Sequence, residues 1–300
     1  MFLPTMNEIR ISLLLPTRGR PAWVERLFAS IVATASQLAR IEVVMYVDDD
    51  DTGSHALQST HFQVRRTIGP AMTMGGYNSF CLAQAQGDIV MLVNDDMIFG
   101  SPGWDDQLIA LDAEYPDKIY LAYGNDLNKG KKLCTFPILS RRTCNLLVEP
   151  YPVAYAGAFI DLHLLDVFKR VRHGGFDRIR YLDDLVVEHL HFRTGKAQAD
   201  ATYLRRKRFS DDSSFIAMKG ARSAGAHRLL NVLRGQTEGD YVRKVFDKSE
   251  PATMLIALLH LSRQFLADGE LPLGWRVFLW YRFIGRYLAM RGFLWPFVKT

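Results

Sequence analysis

Short apolar runs alternate with loops rich in glycine, proline and aspartate along this chain. Residues 9–15 (IRISLLL) read as a buried strand, and the following Pro16-Thr17-Arg18-Gly19-Arg20-Pro21 cannot extend it. Pro21 suits the first turn of a helix, and Trp23, Leu27, Ile31 and Ala35 then recur every fourth residue, which predicts a helix over 22–38. Residues 41–47 (IEVVMYV) predict a second strand, stopped by four successive aspartates from Asp48 to Asp51. Strand, helix, strand with polar strand ends is the pattern of a βαβ unit and a parallel sheet. A glycine pair, Gly75-Gly76, then opens a short helix reaching about residue 86. The uncharged run 89–93 (IVMLV) follows and ends abruptly at Asn94-Asp95-Asp96. Further on, the pattern predicts a helix over 104–114 and a strand at 119–123. A small apolar stretch at 153–160 leads into a helix carrying Leu162, Leu165 and Val167. A second acidic pair, Asp183-Asp184, lies shortly before His189 and His191. Two strongly apolar helices, over 254–266 and 275–298, close the pattern.

The two acidic pairs carry the candidate chemistry. Carboxylates at the carboxyl end of a buried strand sit where open α/β sheets bind their ligands, and they are costly to desolvate unless a cation joins them. Magnesium or manganese, held by one or two protein oxygens with phosphate oxygens and water, answers that need at Asp95-Asp96. A surface turn is the competing reading, because Asn-Asp-Asp is also good turn chemistry. In the second cluster a carboxylate suits proton removal and a histidine suits metal, against the alternative of a solvated helix start with a hydrogen-bonded histidine. The run Asp48–Asp51 is either a capping loop or a used site. Gly75 and Gly76 permit close backbone approach near a ligand. Trp104 is expected to pack on the sheet rather than to stack on a sugar.

Composition and charge narrow the class. With 300 residues, 48% of them hydrophobic, the chain can bury one large α/β core with an appendage, or two smaller ones. The first residues lack the basic and apolar regions of a signal peptide, and no long uncharged apolar window predicts a spanning helix. Three cysteines without a CxxC pair argue against a disulfide framework or a zinc site and fit a reducing cytoplasm. Residues 193–300 hold 19 Lys and Arg against 9 Asp and Glu, whereas the first 192 hold 18 against 23. A basic tail on a mildly acidic body points to an anionic partner. The cluster Tyr203-Leu204-Arg205-Arg206-Lys207-Arg208-Phe209 suits phosphates, lipid headgroups or solvent. Nucleic acid is disfavoured, since no recognised binding motif accompanies the charge. On a helical wheel Trp280, Phe283, Ile284, Tyr287 and Leu288 share one side while Arg282 and Arg286 share the other. That pattern is expected to lie in an anionic membrane interface, with a docking or core helix as the alternative.

Taken in order, Pro16-Thr17, Asp48-Asp49, Gly76-Tyr77-Asn78 and Asn94-Asp95-Asp96 resemble the nucleotide-sugar half of GT-A glycosyltransferases, and more narrowly the family 2 inverting enzymes. Gly157-Ala158-Phe159, Gly175-Phe176-Asp177 and Asp183-Asp184 resemble the acceptor half, so the likeness covers residues 9–196. The resemblance implies a Rossmann-like α/β fold with a mostly parallel central sheet flanked by helices. It places a GT-A domain over residues 1–200, while the charge and apolar pattern beyond make 201–300 a helical, basic extension expected to associate with a membrane. It implies donor binding by Pro16, Thr17, Arg18, Asp48, Asp49, Gly76, Asn78, Asn94 and Asp95. Asp96, with His189 or His191, would bind Mn2+ or Mg2+, Asn94 standing where the pattern has an acid. Asp184 would be the general base, and Asp183 stands where Glu is commoner. The function implied is inverting transfer of a sugar from a UDP-linked donor to a glycan or lipid-linked glycan, at the cytoplasmic face of a membrane. Two rivals are a sugar-phosphate nucleotidyltransferase, whose glycine-rich phosphate loop Pro16–Arg20 only partly imitates, and a non-catalytic glycan-binding assembly module, which would leave both acidic clusters idle.

Overall fold

The structure, a computed structural model, describes residues 10–190, 209–241 and 253–293. Its strands are β1 (Ile11–Thr17), β2 (Ile41–Asp48), β3 (Gln63–Gly69), β4 (Ile89–Leu92), β5 (Met97–Phe99), β6 (Leu121–Asn125), β7 (Ile138–Ser140) and β8 (Ile179–His189). They form one sheet in the order β3-β2-β1-β4-β7-β6-β8-β5. The first four are parallel, β7 runs antiparallel to β4 and β6, β6 pairs parallel with β8, and β5 closes the edge antiparallel to β8. Every residue of β1 and β2 is buried, which explains why their sequences are nearly continuous apolar runs.

Alternation along the strands divides the interior into two cores. Ile11, Leu13 and Leu15 point to one side, where α1 (Pro21–Thr34) and α3 (Trp104–Glu114) cover the sheet. Leu14, Val44 and Val90 point to the other, beneath α2 (Met74–Gln84), α4 (Arg141–Leu147) and α5 (Ile160–His173). The later helices α6 (Asp212–Ala217), α7 (Lys219–Leu233), α8 (Met254–Leu266) and α9 (Leu273–Met290) join this second core through Phe215, Leu229, Phe265 and Phe283.

Three local expectations change. Helix α1 stops at Thr34 rather than near residue 38, because the Asp105 carboxylate captures the N–H groups of Ser36 and Gln37 at 2.7 and 2.9 Å. The second acidic pair does not open a helix but lies inside β8. There the register with β6 jumps from Gly124↔Leu182 to Asn125↔Val186, so Asp183, Asp184 and Leu185 form a bulge. Gly124 makes that bulge possible, since a Cβ there would stand 2.3 Å from the Leu185 carbonyl oxygen. The third change concerns α9, whose aromatic side was expected in a membrane interface. Trp280, Phe283, Ile284 and Tyr287 pack on the protein's own core. Phe283 stacks between Phe215 and Phe265 at 4.8 and 5.1 Å, and Arg286 turns inward to pair with Asp212. Phe159 at the start of α5, Phe215 on α6 and Phe265 on α8 form the aromatic cluster that covers this face. Among the described residues no helix is long and apolar enough to cross a membrane.

Two buried devices tie the later helices to the rest. Asp166 of α5 accepts from Arg170 at 3.1 Å, Arg222 at 2.7 Å and the Trp275 indole at 2.9 Å, while Arg170 reaches on to Asp268 and Glu270. Burial pushes the Asp166 carboxyl upward, but Arg170, Arg222 and these hydrogen bonds outweigh it and hold the group at about 2. The Asp211 carboxylate, meanwhile, accepts the N–H groups of Ala156, Gly157 and Ala158 at 2.6 to 2.9 Å. The same loop supports the start of α2, where Met74 and Gly75 donate to the carbonyls of Ala156 and Tyr155. Among the described residues all three cysteines are buried thiols.

Candidate functional site

The carboxyl ends of β1 and β2 lie level, β4 stops three residues short of β1 and its following loop continues alongside, and register sets which of their residues meet. Continuing the pairing Ile11↔Ile89 brings Thr17 opposite Asp95, and continuing Ile11↔Ile41 brings Arg18 opposite Asp48. The side chains follow. Thr17 donates to Asp95 Oδ2 at 2.9 Å and Arg20 to Asp95 Oδ1 at 2.8 Å. Arg18 bridges Asp48 at 2.8 Å and Asp50, and Gly19 N–H donates to Asp51. Asp48 also accepts from the Tyr77 hydroxyl on α2 at 2.5 Å. Burial, together with that bond to Asp48, keeps the Tyr77 phenol protonated well above its ordinary range. Three of the four consecutive aspartates therefore face specific donors, and Asp49 stands exposed.

Asp95 was expected among the donor-binding residues, and both its oxygens accept hydrogen bonds within the protein. Burial pushes its carboxyl up to about 6, opposed by the Arg20 guanidinium and reinforced by neighbouring Asp96. It acts as an anchor that fixes the loop after β4. Asn94 is half-buried beside it, and Pro16 lies within buried β1 opposite Tyr46. Gly76 serves the N-terminus of α2, donating to the Thr73 hydroxyl at 3.1 Å, and Asn78 is buried one turn on. The close approach expected of the glycine pair is to the protein itself: a Cβ on Gly75 would stand 1.9 Å from the Pro152 carbonyl oxygen. Trp104 is fully buried and stacked on Phe99 at 4.1 Å, which makes it a packing residue.

Asp96 meets His189. The edge pairing Met97↔His189 sets the two side by side, the Leu190 N–H donates to the Asp96 carbonyl at 2.8 Å, and His189 Nε2 lies 3.3 Å from Asp96 Oδ2. Both side chains are largely buried, and Phe136 packs on the imidazole at 5.2 Å. His191 lies outside the described residues. Among the described residues no group of three or more histidines, cysteines or acids is gathered as a metal cage. A carboxylate and an imidazole within 3.3 Å nevertheless fit a divalent ion that draws its other ligands from phosphate and water. The imidazole favours manganese over magnesium, which prefers oxygen alone.

Asp183 and Asp184 are not brought to this pair. The bulge sets Asp184 between Leu182 and Val186, and three residues of regular strand, about 10 Å, separate Val186 from His189. Both acids are exposed and, with Gln107, Arg180 and Leu182, border a cavity of about 300 Å³. Asp183 accepts from the Tyr181 hydroxyl at 3.1 Å, and Ser101 donates to the Asp184 carbonyl. Two participants escaped the sequence reading, namely Arg20 as the partner of Asp95 and Tyr77 as the partner of Asp48. Arg20 caps α1 and Tyr77 sits on α2, so it is the docking of these helices at the sheet's carboxyl edge that brings them to the acids.

No protein-family model matches the sequence, and no curated protein matches it at a significant level. Among solved structures, residues 1–349 of S. aureus TarS in complex with UDP-GlcNAc are similar over 94% of this chain and 73% of that chain, with 12% identity and a TM-score of 0.52. The mannosyltransferase PcManGT from Pyrobaculum calidifontis, in complex with GDP-Man and Mn2+, aligns over 95% of this chain and 76% of that one at 13% identity and a TM-score of 0.47. The four parallel strands with an antiparallel insertion, flanked by helices on both faces and overlaid on TarS, give this chain the GT-A glycosyltransferase fold.

Proposed function

We propose that the protein transfers a sugar from a UDP-linked donor to a hydroxyl of a glycan or lipid-linked glycan, with inversion at the anomeric carbon. The observation that carries this reading is the meeting of the Asp96–His189 pair with the polar rim of β1 and β2 along one edge of the sheet. Thr17, Arg18, Asp48 and Asp49 line the loops that would take the nucleoside, with Gly76 and Asn78 at the start of α2 alongside. Arg20 and Thr17 hold Asp95, and so keep Asp96 aimed at the diphosphate. Asp96 and His189 would hold a divalent cation, which when bound neutralises charge gathering on the departing diphosphate.

Asp184 is proposed as the general base, on the resemblance of the acidic pair and on its exposure at the Gln107–Arg180 cavity. The donor sugar and the acceptor hydroxyl would fill the interval along β8 between His189 and Asp184, which places departure and attack at opposite ends. Exchanging Asp184 for Asn is expected to lower transfer by about 100-fold while nucleotide affinity stays within about twofold. Equal loss of both, in parallel turnover and binding measurements, assigns the residue to structure instead. An acceptor met at the inner face of an anionic membrane completes the proposal.

A thermal-shift series of nucleotide sugars, with and without manganese, tests the whole reading. One UDP-sugar is expected to raise the melting temperature in the presence of manganese by several degrees, since ligand at about 100 times its Kd stabilises the folded state by about 2.7 kcal/mol. Absence of any shift with every nucleotide sugar overturns it.

A further inference from the structure

The α8–α9 hairpin carries an apolar surface that the core does not use. Of the fifteen large apolar side chains standing exposed among the described residues, eleven fall between residues 254 and 293. Each helix buries one stripe: Ala257, Leu261 and Phe265 on α8, Leu279 and Phe283 on α9. The Trp280 indole donates to the Ser262 hydroxyl at 2.9 Å and marks the seam between the two helices. At 100° per residue, the seam-side residue Ser262 is flanked, on the side away from the core, by Leu255, Leu259 and Leu266. Beyond Trp280, the matching stripe on α9 is Leu273, Val277 and Tyr281. These six are 37 to 72% exposed, and they lie along one outward face of the hairpin. The expected interfacial helix thus has its predicted face inside and a different apolar face outside.

Charge decides what this face suits. Arg263 stands exposed among the α8 leucines, and Arg291, at the end of α9, shares the wheel position of Leu273. The hairpin's two acids, Asp268 and Glu270, are taken by Arg170. The outward face therefore offers arginine and no carboxylate among the described residues. A two-fold contact between copies would lay this basic face against itself, with no acid to receive Arg263. An anionic lipid surface supplies the missing charge, takes the leucines below its headgroups and lets Arg263 and the Tyr281 hydroxyl remain at headgroup level.

We infer that the outer face of α8 and α9, centred on Leu259, Arg263 and Tyr281, docks the protein on an anionic phospholipid surface. The inference stands on this surface alone and is tested without any transfer assay, so it survives or fails independently of the sugar chemistry. The full chain is floated with phosphatidylcholine vesicles containing or lacking phosphatidylglycerol. Wild type is expected to float with the anionic vesicles and to bind the neutral ones at least tenfold more weakly. The double variant Leu259→Glu/Tyr281→Glu, altered only at side chains 62 and 72% exposed, is expected to lose at least tenfold of the binding with an unchanged melting temperature. Arg263→Glu is expected to erase the preference for anionic vesicles, and Ile68→Glu, an exposed change on β3, to have no effect. Failure of wild type to float, or equal flotation of the double variant, overturns the inference. So does a wild-type dimer in sedimentation velocity that the double variant dissociates, which would assign the face to a second copy.

Discussion

Replacing Asp96 with alanine is expected to lower sugar transfer by about 1,000-fold, the effect of withdrawing about 4 kcal/mol of charge stabilisation from the leaving diphosphate. The fold gives that side chain no substitute. Asp95 is committed to Thr17 and Arg20, and Asn94 offers only an amide oxygen. Among the described residues, His189 alone would leave one protein ligand. Asp96 is tied to its surroundings through its backbone carbonyl as well, so the loop after β4 should persist in the variant. Three measurements define the result: turnover with saturating manganese, turnover of wild type in chelator, and the melting temperature of both. Wild type in chelator should fall to the level of the variant, and chelator should take nothing further from the variant. Undiminished wild-type activity in chelator would remove the metal from the mechanism altogether.

Substituting Asp166 with asparagine is expected to destabilise the protein by about 3 to 5 kcal/mol, a large share of a typical folding free energy. The change keeps the shape and removes the charge. Arg222, whose side chain is 1% exposed, has Asp166 as its charged partner, and Arg170 would retain only Asp268 and Glu270. Acid titration gives a second readout. The Asp166 carboxyl is held at about 2 in the folded protein against 3.8 ordinarily, so its contribution is fully present above pH 3.8 and is lost as pH falls toward 2. That lowering corresponds to roughly 2 kcal/mol. Asp268 is shifted the same way, by Arg170 and Lys219 acting against its burial, and adds to the slope. Urea unfolding at pH 7 and at pH 3 should therefore show a smaller acid loss in the variant than in wild type. An Asp166→Asn protein as stable as wild type would mean that the arginines find other anions.

Three of the parallel strands, β1, β2 and β4, were legible because burial on both faces demands uninterrupted apolar sequence, whereas the edge strand β3 (QVRRTIG) has no such run and was missed. Helix α8 was legible to the residue, since its Thr253 cap and apolar stripe are both written locally. β8 was not, because two adjacent acids in YLDDLVVEH look like a helix start. They are tolerated in a strand only because a bulge turns them out to solvent, and that bulge depends on Gly124, nearly sixty residues earlier. Residues 254–293 show the same limit in another form. Periodicity reveals that a helix has an apolar side, but it does not say whether lipid or the protein's own phenylalanines will meet it. At the site, the acids were readable as clusters, whereas their partners Arg20 and Tyr77 follow from where α1 and α2 dock on the sheet, which no local pattern states.

The Asp211 carboxylate has a bearing on where this protein can be divided. It grips Ala156, Gly157 and Ala158, the loop that carries the first turn of α2, and α2 in turn delivers the Tyr77 hydroxyl to Asp48. A shortened chain ending near residue 200 would keep every proposed catalytic side chain and still lose the brace behind its nucleotide-facing wall. The helices that follow thus brace the wall proposed to face the donor, and trimming them away is expected not to isolate a working half.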